Sequence, residues 1–365
     1  MKVFWLFNHP APYKVDMFNC LGEKVDLFVL FERSKEKCRN NVFYGEEKRF
    51  HYAICKGLKW GLMNSLSATP IKYIKKEKYD CIVINGWRTL TEMKTLRYLK
   101  KHNIPYIFAI NGGIIKKKEN IFIRKIKTKY IGGALSYLCP DDNSKEYLIH
   151  YGAKKENIHF FHYSSIFEKD IIKKPREEIE KIELRKKLAN SNEKLFVSSG
   201  QLIKRKNFIE LIKVWKNLPQ AYKLLICGEG KLKKKIEKLT KKEKLENIKL
   251  LPYQKKKDLL YLFSISDGFI FLSKEDIYGH VINEALSQGL PVISSNKVNA
   301  SLNLIKDGYN GCIVKLNEEN DIIKKIKNET LLTMGNNCIE TSKQNTIEQS
   351  AVDTLKAIEE FINKK

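Results

Sequence analysis

At 365 residues the chain is longer than one hydrophobic core sustains, so two domains are expected. Hydrophobic residues at 43% and aromatics at 11% exclude a disordered or low-complexity polymer. A net charge of +26, from 68 Lys and Arg against 42 Asp and Glu, favours anionic partners such as nucleic acid, phosphorylated metabolites or acidic lipid headgroups. A Lys-, Asn- and Ile-rich coding bias is the competing source of that charge, since it loads solvated faces with lysine.

The opening MKVFWLFNHPAP holds one Lys and a short apolar run before polar residues and prolines, which reads as a first strand rather than a signal peptide. No window approaches the roughly 18 apolar residues of a membrane span, so the expected location is cytoplasmic, with peripheral contact at the inner face of the cell membrane. Segments 3–7, 24–31, 81–85 and 105–110 read as strands, 90–101 as an intervening helix, and 134–139 and 158–161 as later strands. That alternation implies a mostly parallel sheet covered on both faces. From 164 to 193 the composition turns charged and strand-poor, a linker whose entry helix is marked by Pro175 and the acids behind it.

A second alternating series follows. Strands fall at 195–199, 223–227, 248–251, 269–272, 291–294 and 312–314, and helices near 208–215, 232–239, 257–263 and 281–288. The last stretch, 347–363, is an amphipathic helix. Eight cysteines (Cys20, Cys38, Cys55, Cys81, Cys139, Cys227, Cys312, Cys338) are scattered with no C-x-x-C pair, as expected of buried thiols in a reducing compartment.

Four segments carry candidate chemistry. In SSGQLIKRKNF, Gly200 permits a tight turn, and Arg205 and Lys206 stand before the next helix, an anion site suited to a diphosphate; a solvated basic loop is the plainer alternative. Gly228-Glu229-Gly230 follows a strand and either admits a ligand or supplies unusual backbone angles. Tyr253, in LLPYQKK, sits at a strand end where backbone groups can meet a base edge, or in an ordinary loop. In LSKEDIYGHVINEALSQGLPVIS, Asp276 and Glu284 are separated by seven residues, and an ionised carboxylate accepts from two neighbouring sugar hydroxyls.

In this order the segments closely resemble the C-terminal domain of retaining glycosyltransferases of family 4 (glycosyl transferases group 1), over roughly residues 195–327. The resemblance implies an α/β protein of the GT-B fold, two Rossmann-like doubly wound domains facing a central cleft. Residues 1–165 would bind acceptor, 166–345 would bind nucleotide sugar, and the helix in 346–365 would pack back toward the N-terminal domain. By the same resemblance Glu284 holds the nucleotide ribose, Asp276 meets donor-sugar hydroxyls, and the backbone of Ile277, Tyr278 and Gly279 assists. Lys206 stands at the family's diphosphate Lys, but Gln201, beside Gly200, replaces its Arg, which assigns the second cation to Arg205. Asp276 is one methylene shorter than the family's Glu, and Glu275 is its neighbouring substitute. The expected catalytic set is Asp276, Lys206 and Arg205. No metal and no cofactor are expected beyond the donor itself, because the sequence has no D-x-D pair. Asp141-Asp142 reads as a turn or helix cap.

The N-terminal half resembles the family less. Pro12-Tyr13 falls in an acceptor-side loop. Asn111, in FAINGG where many members carry a His or Glu near the donor, is either a sugar ligand or a turn-capping Asn; His9 is the other polar candidate. IIKKKENIFIRKIKTKY (114–130) has seven cations and one acid among apolar residues. It suits an anionic bilayer carrying a lipid-linked glycan acceptor, or is a solvated helix with a core-facing stripe. The expected function is hexosyl transfer from a nucleotide diphosphate sugar to a hydroxyl of a growing, lipid-linked glycan. An epimerase or phosphorylase of the same fold is the alternative. No specific nucleic acid is expected, because the basic residues are dispersed and no stacking platform accompanies them.

Overall fold

The computed structural model describes residues 1–36, 44–61, 64–115 and 118–365. Cys38, Lys116 and Lys117 lie outside the described residues. The chain forms two compact units, 1–165 together with 346–365, and 166–345.

Unit 1 is built on β1 (Lys2–Phe7), whose last five residues are all buried, the run of apolar side chains expected of a parallel strand covered on both faces. The strands that follow are β2 (Asp26–Phe31), β3 (His51–Ile54), the short antiparallel hairpin β4 (Leu58–Trp60) and β5 (Asn64–Leu66), then β6 (Cys81–Asn85), β7 (Ile107–Ala109), β8 (Ser136–Cys139) and β9 (Ile158–Phe160). The main sheet has the order β3-β2-β1-β6-β7-β8-β9 with every pairing parallel, Val3 lying opposite both Leu27 and Cys81. Its helices are α1 (Pro12–Gly22), α2 (Thr69–Lys76), α3 (Leu90–Lys101), α4 (Ile121–Ile131) and α5 (Asp142–His150). Asp141 caps α5, its carboxylate accepting from Ser144 N at 2.7 Å, so the Asp-Asp pair is a helix cap.

Unit 2 enters through α6 (Glu178–Arg185). The helix starts after Pro175 rather than at it, because Pro175 is packed against Gly289 and Gly335, where an added Cβ would lie 3.3 Å and 2.6 Å from its ring. Strands β10 (Lys194–Ser199), β11 (Tyr222–Cys227), β12 (Ile248–Leu251), β13 (Gly268–Phe271), β14 (Val292–Ser295) and β15 (Gly311–Val314) form an all-parallel sheet in the order β12-β11-β10-β13-β14-β15. Helices α7 (Phe208–Lys216), α8 (Lys233–Lys242), α9 (Lys256–Ser264), α10 (Val281–Ser287), α11 (Asn299–Leu304), α12 (Glu319–Ile326) and α13 (Gly335–Lys343) connect them. α7 shows why such a segment folds: Phe208, Leu211, Ile212 and Trp215, at i, i+3, i+4 and i+7, are buried on one face. α10 ends with Leu290 N bonding Ala285 O at 3.1 Å and Gly289 N bonding Leu286 O at 3.0 Å around Gly289, whose φ is +63°, a closed C-terminal turn.

The final helix, α14 (Ile347–Lys364), belongs to unit 1 and packs along α1. In each sheet the strand order reverses once, beside β1 in unit 1 and beside β10 in unit 2. Ligands of open parallel sheets bind at the carboxyl ends of the strands at that reversal.

Candidate functional site

In unit 2 the reversal lies between β10 and β13. The loop leaving β10 is the GQLIKRK turn; the loop leaving β13 is SKEDIYG. Topology therefore brings Lys206 and Asp276, 70 residues apart, to one point. Lys206 Nζ donates to Asp276 Oδ2 and stands 4.5 Å from the centroid of the Phe271 ring, its methylenes running past Gly200. Arg205 Nη1 lies 3.5 Å from Asp276 Oδ1 and donates to the Glu275 carbonyl at 3.1 Å. One carboxylate thus faces two cations. The loops are sewn together by main chain and by Ser273: Lys274 N donates to Arg205 O at 2.7 Å, and Ser273 Oγ reaches Arg205 O and Glu275 O at 3.0 Å each. Glu275 contributes its carbonyl, and its side chain is exposed.

Asp276 is held from a third direction. Its N donates to Lys297 O at 3.1 Å, its O accepts from Asn299 N at 3.3 Å, and Ala300 N donates to Tyr278 O at 2.9 Å, so the segment after β14 fixes the carboxylate's height. Gly279 has φ +105°, and a Cβ there would lie 2.8 Å from Val298 Cγ1 and 3.7 Å from Asp276 Oδ2. Only glycine allows the chain to turn over Asp276 into α10. Tyr278 is buried, Ile277 exposed. Glu284 lies in the first turn of α10, partly buried, where the helix N-terminus favours a carboxylate.

The Gly228–Gly230 turn has a different part from admitting a ligand. A Cβ on Gly228 would lie 2.0 Å from Gly200 O, and one on Gly230 would lie 2.6 Å from Leu202 O. Gly200 N donates to Cys227 O at 3.0 Å and Leu202 N to Glu229 O at 2.9 Å. The glycines let the two turns interlock backbone to backbone, and the second turn braces the one that carries Gln201, Arg205 and Lys206. Tyr253 follows β12, the edge strand two places from β10, and is partly exposed.

Unit 1 holds the remaining candidates. Asn111 follows β7, and its Oδ1 is buried without a hydrogen-bond partner among the described residues. His9 follows β1 at the sheet reversal; Nδ1 lies 3.2 Å from the Tyr44 hydroxyl and Nε2 lies 3.4 Å from Glu36 Oε1, which accounts for both ring nitrogens inside the unit. Tyr13 stacks edge-on against Tyr163.

The sequence reading missed a buried acid pair near this reversal. Glu32, just past β2, accepts from Thr89 Oγ1 at 2.9 Å and from Ser65 Oγ, and hydrogen-bonds the Glu92 carboxyl. Glu92 also closes the capping box of α3, accepting from Thr89 N at 2.9 Å. Burial raises the pKa of both, and their mutual repulsion pushes Glu92 well above the usual carboxylate range. The T-x-x-E pattern announces the cap, but nothing in the sequence joins it to Glu32. The described cysteines are free thiols, all buried except half-buried Cys20; burial pushes the Cys227 thiol up to about 12. Among the described residues no cluster of His, Cys, Asp or Glu has metal-binding geometry, and no helix is long and apolar enough to cross a membrane.

Residues 180–344 match the family model described as glycosyl transferases group 1. An uncharacterized glycosyltransferase of Methanocaldococcus jannaschii is 34% identical over 173 residues, which cover 46% of this chain and 48% of that protein. The alpha-1,4-N-acetyl-D-galactosaminyltransferase of Campylobacter jejuni named for the acceptor GalNAc-alpha-(1->4)-GalNAc-alpha-(1->3)-diNAcBac-PP-undecaprenol is 31% identical over 147 residues, covering 37% of this chain and 38% of that one. The chain thus spans about half or less of the curated relatives it matches. Among solved structures, Anabaena HepE in complex with UDP superimposes with a TM-score of 0.77 at 16% identity, over 98% of this chain and 100% of that one. With two parallel doubly wound sheets and a loop pair joined at the β10/β13 reversal, the chain has the GT-B fold, and its residues 180–344 are similar to glycosyl transferases group 1.

Proposed function

We propose that the protein is a retaining hexosyltransferase that moves sugar from a nucleotide diphosphate donor to a hydroxyl of a lipid-linked glycan at a membrane surface. The observation that carries this reading is the Lys206–Asp276–Arg205 cluster at the reversal of unit 2, with Glu284 in the first turn of the helix that follows Asp276. The cations meet the charge that develops on the leaving diphosphate, so the chemistry runs without a resident metal. Glu284 accepts from the ribose hydroxyls and Asp276 from hydroxyls of the donor sugar. Asp276 faces two cations and is a weak nucleophile, which favours attack by the acceptor hydroxyl on the face the diphosphate leaves. The names of relatives support the substrate classes: UDP in the Anabaena structure, and an undecaprenyl diphosphate-linked acceptor for the Campylobacter enzyme.

The test is Glu284→Ala, with donor binding followed by isothermal titration against UDP-, GDP- and ADP-sugars. Losing two charge-assisted hydrogen bonds weakens binding of the preferred donor by at least about tenfold. Unchanged affinity in the variant overturns the assignment of Glu284. Turnover of donor without an added acceptor points instead to an epimerase or phosphorylase.

A further inference from the structure

The chain enters unit 2 at Ile166 and leaves it after Asn345, and both crossings are fastened to one short helix. That helix is α10, which carries Glu284. At seven residues it is too short to hold its shape unaided, so its place is set by what it packs on and bonds to. Ile282, Asn283, Ala285, Leu286 and Ser287 are buried; only Val281 and Glu284, three apart and on one face, are partly open. A helix enclosed in this way packs well with apolar side chains alone, and polar ones there are costly unless bonded. Asn283 and Ser287 are nevertheless fully buried, and Gln288, directly after the helix, is 6% exposed.

Their bonds lead to the crossings. Gln288 Nε2 donates to Asp170 O at 2.7 Å and to Ser287 Oγ at 3.0 Å, and Ser287 Oγ donates to Glu284 O at 2.8 Å. Side-chain bonds thus run without a break from the main chain of Glu284 to the incoming segment. Ile172 N adds a main-chain bond to Ser287 O at 3.1 Å. On the outgoing side, Asn283 Nδ2 donates to Asn345 O at 2.7 Å. Asp170 is held from outside α10 as well: its carboxylate accepts from Phe167 N at 3.0 Å and from Lys256 Nζ, at the start of α9, at 2.6 Å. Glu284 cannot shift with α10 without straining bonds to both segments.

We propose that Asn283 and Gln288 are positioning residues for the donor site. They fix the α10 main chain against residues 170–172 and 345, so that a nucleoside diphosphate held by Glu284 stiffens both crossings. The crossings in turn set the affinity of Glu284 for it, because a free energy that ties two sites acts equally in both directions. On each crossing a main-chain carbonyl accepts from a side chain at α10, which makes the link a run of bonded atoms rather than nearness alone. The inference rests on the assignment of Glu284 to the donor under the proposed function.

The experiment is hydrogen–deuterium exchange of the full-length protein with and without UDP, beside isothermal titration with UDP. In the wild type, UDP slows exchange of the amides in 168–173 and 343–345 as well as in 276–288. Gln288→Met, close to Gln in length but without the N–H donor, loses the slowing in 168–173 and keeps it in 343–345. It binds UDP about fivefold more weakly. Lys256→Met releases Asp170 from α9, and with the Lys256 side chain 37% exposed that variant keeps the fold. In ligand-free protein it speeds exchange of the α10 amides, and it adds nothing to their exchange in the Gln288→Met background. UDP-dependent slowing confined to 276–288, or slowing in 168–173 that survives Gln288→Met, overturns the proposal. If UDP, GDP and ADP all fail to bind, the transferase reading falls and the Lys256→Met comparison decides the link by itself. Exchange of α10 unmoved by that variant, or moved equally in both backgrounds, overturns it.

Discussion

Lys206 and Arg205 meet Asp276 on different terms. The Lys206 side chain is 10% exposed, donates directly to the carboxylate and lies over the Phe271 ring; that of Arg205 is 42% exposed and 3.5 Å away. A charge shielded from water acts more strongly on a developing anion than one screened by it. Lys206→Ala is therefore expected to lower kcat by about 10²–10³, the range for losing one preorganised donor, and Arg205→Ala by clearly less. Steady-state kinetics with the preferred donor checks the ranking, and equal losses would refute it. Lys206, Asp276 and Glu284 were readable as candidates because each sits in a local motif whose spacing survives without the fold. The pinning of Asp276 by residues 297–299 was not, because that segment arrives from across α10 and β14.

At the scale of elements, the buried Glu32–Glu92 pair ties the end of β2, the N-terminus of α3 and, through Ser65, the hairpin strand β5. Both carboxyls titrate above the ordinary value of 4.5, so the folded state holds protons that the unfolded chain has released. The stability they contribute is complete below about pH 4.5 and falls as pH rises through their raised folded values. Arg33, also buried, opposes that rise at Glu32 without reversing it. Glu92→Gln keeps the acceptor for Thr89 N and gains an amide that donates to Glu32, while removing one acid. Thermal melts should show the variant more stable than wild type at pH 8 and level with it near pH 4.5. A gain that does not vary with pH would contradict this account. The strong elements, β1, β10, β13 and α7, were readable from apolar runs and helical spacing. β3, β4 and β5 were not: their side chains are largely exposed, so no apolar alternation marks them.

At the scale of the molecule, the chain returns to unit 1 through α14, which buries Ile347, Ala351, Ile358 and Phe361. The amphipathic pattern of 347–363 announced the helix; its packing along α1 depends on which face is left open after the sheet forms, and no local pattern records that. Phe361 is fully buried, and Phe361→Ala should cost about 3–5 kcal/mol. The cost belongs to unit 1, so calorimetry should show earlier unfolding of unit 1, while titration with UDP, which by the proposed function reports on unit 2, should stay at its wild-type value. A parallel loss of UDP affinity would refute that division. The excess of lysine was legible from the first count, but which cations stand at the unit 2 reversal was not: most line solvated faces, and the fold places Lys206 and Arg205 beside Asp276.

The carboxylate between Lys206 and Arg205 also sets a threshold. A ligand entering there has to compete with an anion built into the chain, one that is covalently positioned and never diffuses away. A singly charged anion gains little by the exchange, because it replaces one carboxylate with another group of the same charge. A diphosphate brings more charge than it displaces and leaves Asp276 released toward whatever it carries. By the proposed function, the two cations would respond to the valence of the ligand before any sugar or base is read.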